Sequence, residues 1–383
     1  MEIKNLKKAA ERIKKAIKNK ENIILYADAD LDGTCSLLIL EETIKNLGGE
    51  VKAIYFPDRE EEGYGINEKA LDYLKRYSPA LFIALDCGIS NFKEIEKAKE
   101  LGFEVIIIDH HKILEKLPKA DIIVDPRQKG ERYPFKEFAT CGIVFRLSAL
   151  LLGKKLTGLL ENNFIELVAL ATLADLMPQV KDNKFFIEKG LEVLGKTYRP
   201  ALRAFLKLNE VNNPKEAIHK IISVLSAGEV KDNLTEAYLL LKEKDEKKAE
   251  KLVLELTEKN KEKHERIREI VKEVEERILK KPGKKIIFEG DKEWPLAFTG
   301  PVASKICNLY KKPTFIYKKG DKISRGAVRT PKGIDSVEAM KACSVFLITF
   351  GGHPQASGFT LSNENLINFE NCLIKYFEKR EKK

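Results

Sequence analysis

Short apolar runs alternate with amphipathic stretches over residues 22–177. NIILYADA, VKAIYF, ALFIALD, EVIIIDHH and DIIVDP read as strands, and segments between them such as NEKALDYLKRY and NFKEIEKAKELG read as helices. Unbroken apolar runs rich in β-branched and aromatic residues suit strands buried on both faces, and strands alternating with helices build a parallel sheet. The expected architecture is α/β: a doubly wound, mostly parallel sheet with helices on both sides. From Asn163 the pattern turns helical through FIELVALATLADLM, FFIEKGLEVLG and RPALRAFLKL.

Residues 246–281 contain neither Gly nor Pro, and Pro282-Gly283 stops the run. The spacing predicts one long helix. Its apolar residues Leu252, Leu256, Ile267, Ile270, Val271, Val274 and Ile278 form a thin stripe with a charged gap from Asn260 to Arg266, as in a solvated spacer packed at both ends, with a partner-binding helix as the alternative. A second α/β pattern follows in KKIIFEG, PTFIYKK, KISRGAVRT and VFLITFGGHPQASGFTL. We therefore expect a first domain over 1–192, a helical connector over 193–282 and a smaller α/β domain over 283–383.

Composition narrows the class. A chain of 383 residues, 43% hydrophobic, can bury the cores of two or three domains. No apolar run approaches the ~18 residues of a membrane span, and MEIKNLKKAAERIKKAIKNKE is amphipathic without a signal peptide's apolar centre, so a cytoplasmic protein with no membrane association is expected. The net charge of +10 leans toward an anionic partner. Six cysteines without CxxC spacing read as small buried or semi-buried residues, which argues against a thiolate zinc site and a disulfide scaffold.

YADADLDGTCS sets Asp28, Asp30 and Asp32 at alternate positions before Gly33, as a calcium-binding EF-hand loop does. That loop needs a glutamate six residues after its glycine, where this chain has Ile39, and a helix before it, where this chain has a strand-like run. The acids instead end a strand and precede a helix, the position where open α/β sheets bind their ligands. ALFIALDCGIS brings Asp86 to a second strand end, FEVIIIDHHK brings Asp109, His110 and His111 to a third, and Asp175 lies in the apolar segment LVALATLADLMP.

A single buried carboxylate is explained by a helix cap. Five aspartates and two histidines at three strand ends on one sheet edge require cations. Oxygen-rich ligands with one or two imidazoles suit Mn²⁺, Mg²⁺ or in some sites Fe or Zn, and there are too many carboxylates for one ion. Two metal ions sharing an acid activate water for attack at phosphorus, so the predicted chemistry is phosphoester hydrolysis. His353 lies in FGGHPQASG, where Gly351 and Gly352 allow close backbone approach and the imidazole can hold a phosphate, whereas His219 and His264 sit in charged helical context and read as surface residues.

These segments together resemble the DHH family of phosphoesterases, and within it the RecJ-like branch. DADLDG is similar to the first motif, LDCGIS to the second, DHH at 109–111 to the third, LADLMP to the fourth, and GGHPQASGF to the signature of the DHH-associated domain. The resemblance implies that Asp28 and Asp30 hold one ion, that Asp32, His110 and Asp175 hold the other, and that Asp86 bridges them. It places Asp109 and His111 in catalytic roles behind the ligands or against the phosphate. Arg329 of GAVRT, with Gly351, Gly352 and His353, would bind the substrate's phosphates, the Arg fork fitting their oxygens. Arg325 reads as a surface charge. Asp28 stands where some relatives carry histidine, and Asp125 of VDPRQKG stands where asparagine is commoner, so it is kept off the ligand set. Set against the bacterial RecJ enzymes, the chain is expected to lack their extra oligonucleotide-binding domain, which leaves long-strand processivity and polarity open, and its composition and two-domain form resemble an archaeal RecJ-like protein.

The implied function is a Mn²⁺- or Mg²⁺-dependent exonuclease releasing mononucleotides from single-stranded DNA or RNA, in replication, repair or RNA turnover. A phosphodiesterase for short oligonucleotides, cyclic dinucleotides or 3'-phosphoadenosine 5'-phosphate is the alternative among enzymes. A GINS-associated replisome scaffold, or assembly with a second RecJ-like chain, is the alternative outside catalysis.

Overall fold

The five apolar runs of the first half form one sheet. Strands β1 (Asn22–Ala27), β2 (Ala53–Tyr55), β3 (Ala80–Leu85), β4 (Phe103–Ile108) and β5 (Ile122–Val124) lie in the order β2-β1-β3-β4-β5, every pair parallel. The computed structural model describes residues 2–113, 116–208, 214–280 and 283–381. The chain divides into two compact units, Met1–Asn260 and Lys261–Lys383.

Within the first unit, helices α1 (Leu6–Asn19) and α2 (Leu31–Asn46) lie on one face of the sheet, and α3 (Glu68–Leu74) and α4 (Phe92–Glu100) on the other. The side chains of β1 alternate between them: Ile23 and Leu25 pack with Leu6 and Ile13 of α1, Ile24 and Tyr26 with Leu71 of α3. Because both faces are covered, the strands read as unbroken apolar runs. The first face is thickened by α5 (Thr140–Leu152), α6 (Gly158–Ala174), α7 (Lys181–Leu194), α8 (Pro200–Leu208), α9 (Pro214–Leu225) and α10 (Glu236–Lys242), with a short hairpin of β6 (Val230–Lys231) and β7 (Leu234–Thr235). Phe205, Ile218, Leu240 and Val253 belong to the same core as the sheet. Leu37 to Leu40 of α2 are all buried, so this helix is enclosed by its neighbours, which fixes the loop at its start.

The long helix α11 (Glu246–Leu279) forms nearly as the spacing predicts. Ala249, Val253 and Leu256 pack into the first unit's core, and Ile267, Ile270 and Val274 into a core of the second. The second unit carries β8 (Ile287–Asp291), α12 (Leu296–Tyr310), β9 (Thr314–Lys319), β10 (Ile323–Arg329), α13 (Ser336–Ala342), β11 (Thr349–His353), β12 (Ala356–Ser362) and α14 (Leu366–Glu381). Its sheet runs β11-β12-β10-β9-β8, with β8 and β9 parallel and the other pairs antiparallel. Phe288, Phe315, Phe359 and Phe369 fill one face, and Ile287, Ile316, Val302, Ile306 and Trp294 the other. The run VFLITFGGHPQASGFTL ends as the hairpin β11–β12, turning at Pro354-Gln355.

One cysteine expectation is corrected. Cys35, Cys87, Cys141 and Cys307 are buried thiols, but Cys343 and Cys372 form a disulfide between the end of α13 and α14. Their separation of 29 residues in sequence carries no spacing signal, and only the tertiary fold brings them together.

Candidate metal centre

The strand order reverses direction between β1 and β3, and in open parallel sheets the crevice beyond the strand ends at such a point is where ligands bind. Asp28 follows β1, Asp86 follows β3 and Asp109 follows β4, each tied by its backbone N–H to the neighbouring strand: to Leu85 O at 3.2 Å, Ile108 O at 2.9 Å and Val124 O at 3.1 Å. Sheet register thus carries three carboxylates to one edge.

The remaining acids arrive on helix ends. Asp30 caps α2, its Oδ1 accepting from Gly33 N at 3.0 Å. Asp32 lies in the first turn of α2 and is aimed at the start of α5, whose Thr140 N and Cys141 N donate to its two oxygens at 2.7 and 2.8 Å. A helix N-terminus is suited to an anion, which is how a fully enclosed carboxylate is held there. Asp175 is the C-terminal cap residue of α6. Asp86 has φ 61, a left-handed conformation rare outside glycine and a mark of a site held by its surroundings. Thr140 Oγ1 donates to its Oδ1 at 2.9 Å.

Within the first unit, three groups of described side chains place ligand atoms within 4.8 Å of one another: Asp28, Asp30 and Asp86; Asp32, His110 and Asp175; and Asp86, Asp109 and His111. His110 Nε2 lies 3.3 Å from Asp86 Oδ1 and 3.4 Å from Asp175 Oδ2, so the groups adjoin. Asp125 lies beyond β5, its Oδ1 accepting from Arg127 N at 2.6 Å, and it belongs to none of these groups.

Burial without enough positive charge dominates the electrostatics. It pushes Asp32 up to about 7, with the charge of Asp30 adding and the N–H groups of Cys141 and Thr140 opposing. Burial, then the charges of Asp32, Asp30, Asp175 and Asp109, raises Asp86 well above the carboxylate range. Asp175 is raised in the same way, by burial and then by Asp32 and Asp30. Asp109 is the exception. Burial would raise it too, but the charge and hydrogen bond of His111 hold it below the ordinary range. Its Oδ1 accepts from His110 N at 2.8 Å and lies 2.7 Å from His111 Nδ1. His111 is in turn pushed up to about 9, the Asp109 charge and hydrogen bond overcoming burial.

Divalent cations fit this donor set. Hard oxygen ligands with imidazole suit Mn²⁺ or Mg²⁺. The crowded carboxylates lack the positive charge that would let all of them ionise. Oδ2 of Asp175 is buried with no hydrogen-bond donor among the described residues, as a ligating oxygen would be.

Two site residues escaped the sequence reading. Arg59 donates from Nε to Asp28 Oδ1 at 2.9 Å, from Nη2 to Asp28 Oδ2, and from Nη2 to Asp30 Oδ2 at 3.1 Å. Tyr64 donates to Asp86 O at 3.2 Å and lies 3.3 Å from His111 Nδ1. Both come from FPDREEEGYG, which reads as a solvated charged loop but follows β2, and so emerges at the same edge as the acids.

In the second unit, sheet register pairs Arg329 with Ala356 and Ala356 with His353, which sets Arg329 and His353 on one face of three adjacent strands. Gly352 has φ 124, and a Cβ there would lie 2.7 Å from Ala356 O, so the hairpin requires glycine. Gly351 meets nothing within 4 Å. Gly300 of α12 comes close enough to Arg329 that a Cβ would lie 3.3 Å from its Nη2.

A model of the DHH family N-terminal domain matches residues 22–172, and one of the DHHA1 domain matches residues 282–379. The chain carries a DHH domain and a DHHA1 domain. It is 35% identical over 375 residues to the single-stranded-DNA-specific exonuclease RecJ of Bacillus subtilis (strain 168), covering 95% of this chain and 47% of that protein. It is 29% identical over 367 residues to the RecJ of Thermus thermophilus, covering 94% and 52%. The chain thus spans about half the length of these curated relatives. A solved structure of exonuclease RecJ bound to manganese superposes with a TM-score of 0.79 at 26% identity, covering 99% of this chain and 95% of that one. Both curated relatives are bacterial, and the archaeal assignment is not supported. No helix among the described residues is long and apolar enough to cross a membrane.

Proposed function

We propose that this DHH protein is a divalent-metal-dependent exonuclease that releases mononucleotides from single-stranded DNA. The observation that carries the reading is that Asp86 groups with Asp28 and Asp30 and also sets its Oδ1 3.3 Å from His110 Nε2 of the Asp32, His110 and Asp175 group, on the switch-point edge of the sheet. The likeness to RecJ exonucleases, one of them bound to manganese, supports substrate and metal. Asp28 and Asp30 would hold one ion, Asp32, His110 and Asp175 the other, and Asp86 both. Bound there, such ions supply a Lewis acid and an activated water for in-line attack at phosphorus.

The other residues act on the phosphate. Asp109 Oδ1, 2.7 Å from His111 Nδ1, fixes that imidazole beside the centre where a phosphoryl group gathers negative charge. Thr140 holds the Asp86 carboxylate in its left-handed turn, and the first turn of α5 holds Asp32. Arg329 and His353, on one face of the second sheet, bind phosphates of the strand.

The test uses single-stranded DNA and RNA labelled at either end, with Mn²⁺, Mg²⁺ or EDTA. Wild-type protein is expected to release mononucleotides from DNA only with metal, and Asp86→Asn to lose at least a hundredfold in rate. Wild-type activity in Asp86→Asn, or release in EDTA, would refute the site. Faster release from RNA would reassign the substrate.

A further inference from the structure

Arg59 places a fixed positive charge on the oxygens that the proposed function gives to one metal ion. Its guanidinium grips both oxygens of Asp28 and reaches Asp30, a two-pronged pairing that satisfies a carboxylate far better than a single contact. Asp28 is 1% exposed while the Arg59 side chain is 44% exposed, so the carboxylate is fixed and the arginine has solvent to move into. The loop is anchored beyond Arg59: Tyr26 Oη donates to Gly65 O at 2.8 Å, Ile66 N donates to Asn91 Oδ1, and Asn91 Nδ2 donates to Ile66 O, both at 3.1 Å. The side chain can therefore leave without unseating the loop. Among the described residues, no arginine or lysine pairs with the carboxylates of the other group. Asp32 takes neutral backbone N–H donors, and Asp175 has His110 as its ion-pair neighbour.

We propose that Arg59 is a displaceable counter-ion of the Asp28–Asp30 pair, which makes that pair the weaker metal site and orders loading: Asp32, His110 and Asp175 fill first, and the second ion enters only as Arg59 swings out. The inference rests on the two-ion reading above. The exchange is between cations: a divalent ion takes the carboxylate oxygens, and the guanidinium leaves with its proton count unchanged.

The experiment titrates Mn²⁺ into the full chain, reading free ion by its electron paramagnetic resonance signal, in wild-type protein, Arg59→Gln and Arg59→Lys. Wild type is expected to bind two ions in separated steps. Arg59→Gln should tighten the weaker step at least tenfold and leave the tighter one in place, with Arg59→Lys between them, since lysine keeps the charge but not the fork. In EDTA, Arg59→Gln should melt below wild type, and saturating Mn²⁺ should erase that difference. Two steps unchanged by either substitution would overturn the proposal while leaving the exonuclease reading standing on its Asp86 test. No Mn²⁺ bound to wild type would overturn both.

Discussion

Gly33→Ala isolates the geometry of the first motif. Gly33 lies in the first turn of α2 and its backbone is not left-handed, so the constraint is one of space. A Cβ there would lie 2.2 Å from Asp28 O, 2.9 Å from Asp28 C and 3.0 Å from Asp28 N, where ordinary contact begins at 3.4 Å. All three atoms are backbone, so no rotamer change relieves the overlap. Either the turn carrying Asp28 or the first turn carrying Asp30 and Asp32 must retreat by about 1 Å, and misplacement on that scale costs on the order of a hundredfold in rate. Overpacking of this kind also destabilises by about 1–3 kcal/mol. The control is Gly158→Ala at the start of α6, where an added Cβ meets nothing within 4 Å. Mn²⁺ titration, urea unfolding and nucleotide release are measured on all three proteins. Gly33→Ala should lose metal affinity and about two orders of magnitude in release while Gly158→Ala matches wild type. Normal metal binding and release by a folded Gly33→Ala protein would refute the claim that this glycine spaces the ligands.

Two predictions concern stability. Burial pushes Glu166 of α6 up to about 7 from its ordinary 4.5, with the nearby Arg199 charge only partly opposing. The folded chain therefore holds a proton that the unfolded chain releases, and this contribution is complete below pH 4.5 and lost as pH rises through about 7. Glu166→Gln, followed by urea unfolding from pH 4 to 8, should remove that loss and gain on wild type by up to ~3 kcal/mol at pH 8, from 1.36 kcal/mol per pKa unit; an unchanged difference across the range would contradict it. The Cys343–Cys372 bridge spans 29 residues, for which the chain-entropy model gives roughly 3–4 kcal/mol. Denatured, unreduced protein should show four reactive thiols, and Cys343→Ser should lower the melting temperature of the second unit. Six reactive thiols would remove the bridge.

What the sequence disclosed and concealed follows from the range of each interaction. Apolar runs ending in acid expose both the parallel sheet and the residues at its edge, because strand burial and strand-end position are local properties. Asp28, Asp86 and Asp109 were therefore legible from spacing alone. Asp32 was legible as an acid but not as one gripped by α5, since Thr140 and Cys141 lie 108 and 109 residues away. Arg59 was hidden by its company: in DREEE a lone arginine among acids reads as surface charge, and only the position of the loop after β2 turns it inward. The cysteines misled for the same reason, as the pairing of Cys343 with Cys372 depends on how α13 and α14 pack rather than on any local pattern.

The unequal support of the aspartates gives the centre its polarity. Asp109 has His111 against it, and Asp28 has Arg59. Asp32 has two backbone N–H groups, which orient it but carry no net charge. Asp86 has a threonine hydroxyl, and Asp175 has His110, which also faces Asp86 and Asp32 at 3.3 and 4.0 Å. Counter-charge is thus concentrated at the two flanks of the cluster and thin at its middle, where three carboxylates share one imidazole. In a dry, low-dielectric setting like charges this close strongly disfavour joint ionisation. The middle is therefore where a divalent cation gains most, and Asp86, which groups with Asp28 and Asp30 and has its Oδ1 3.3 Å from His110 Nε2, is the ligand whose loss both proposed ions would feel. A neutral isostere there should do more harm to metal binding than the same change at Asp28, where Arg59 already supplies a cation.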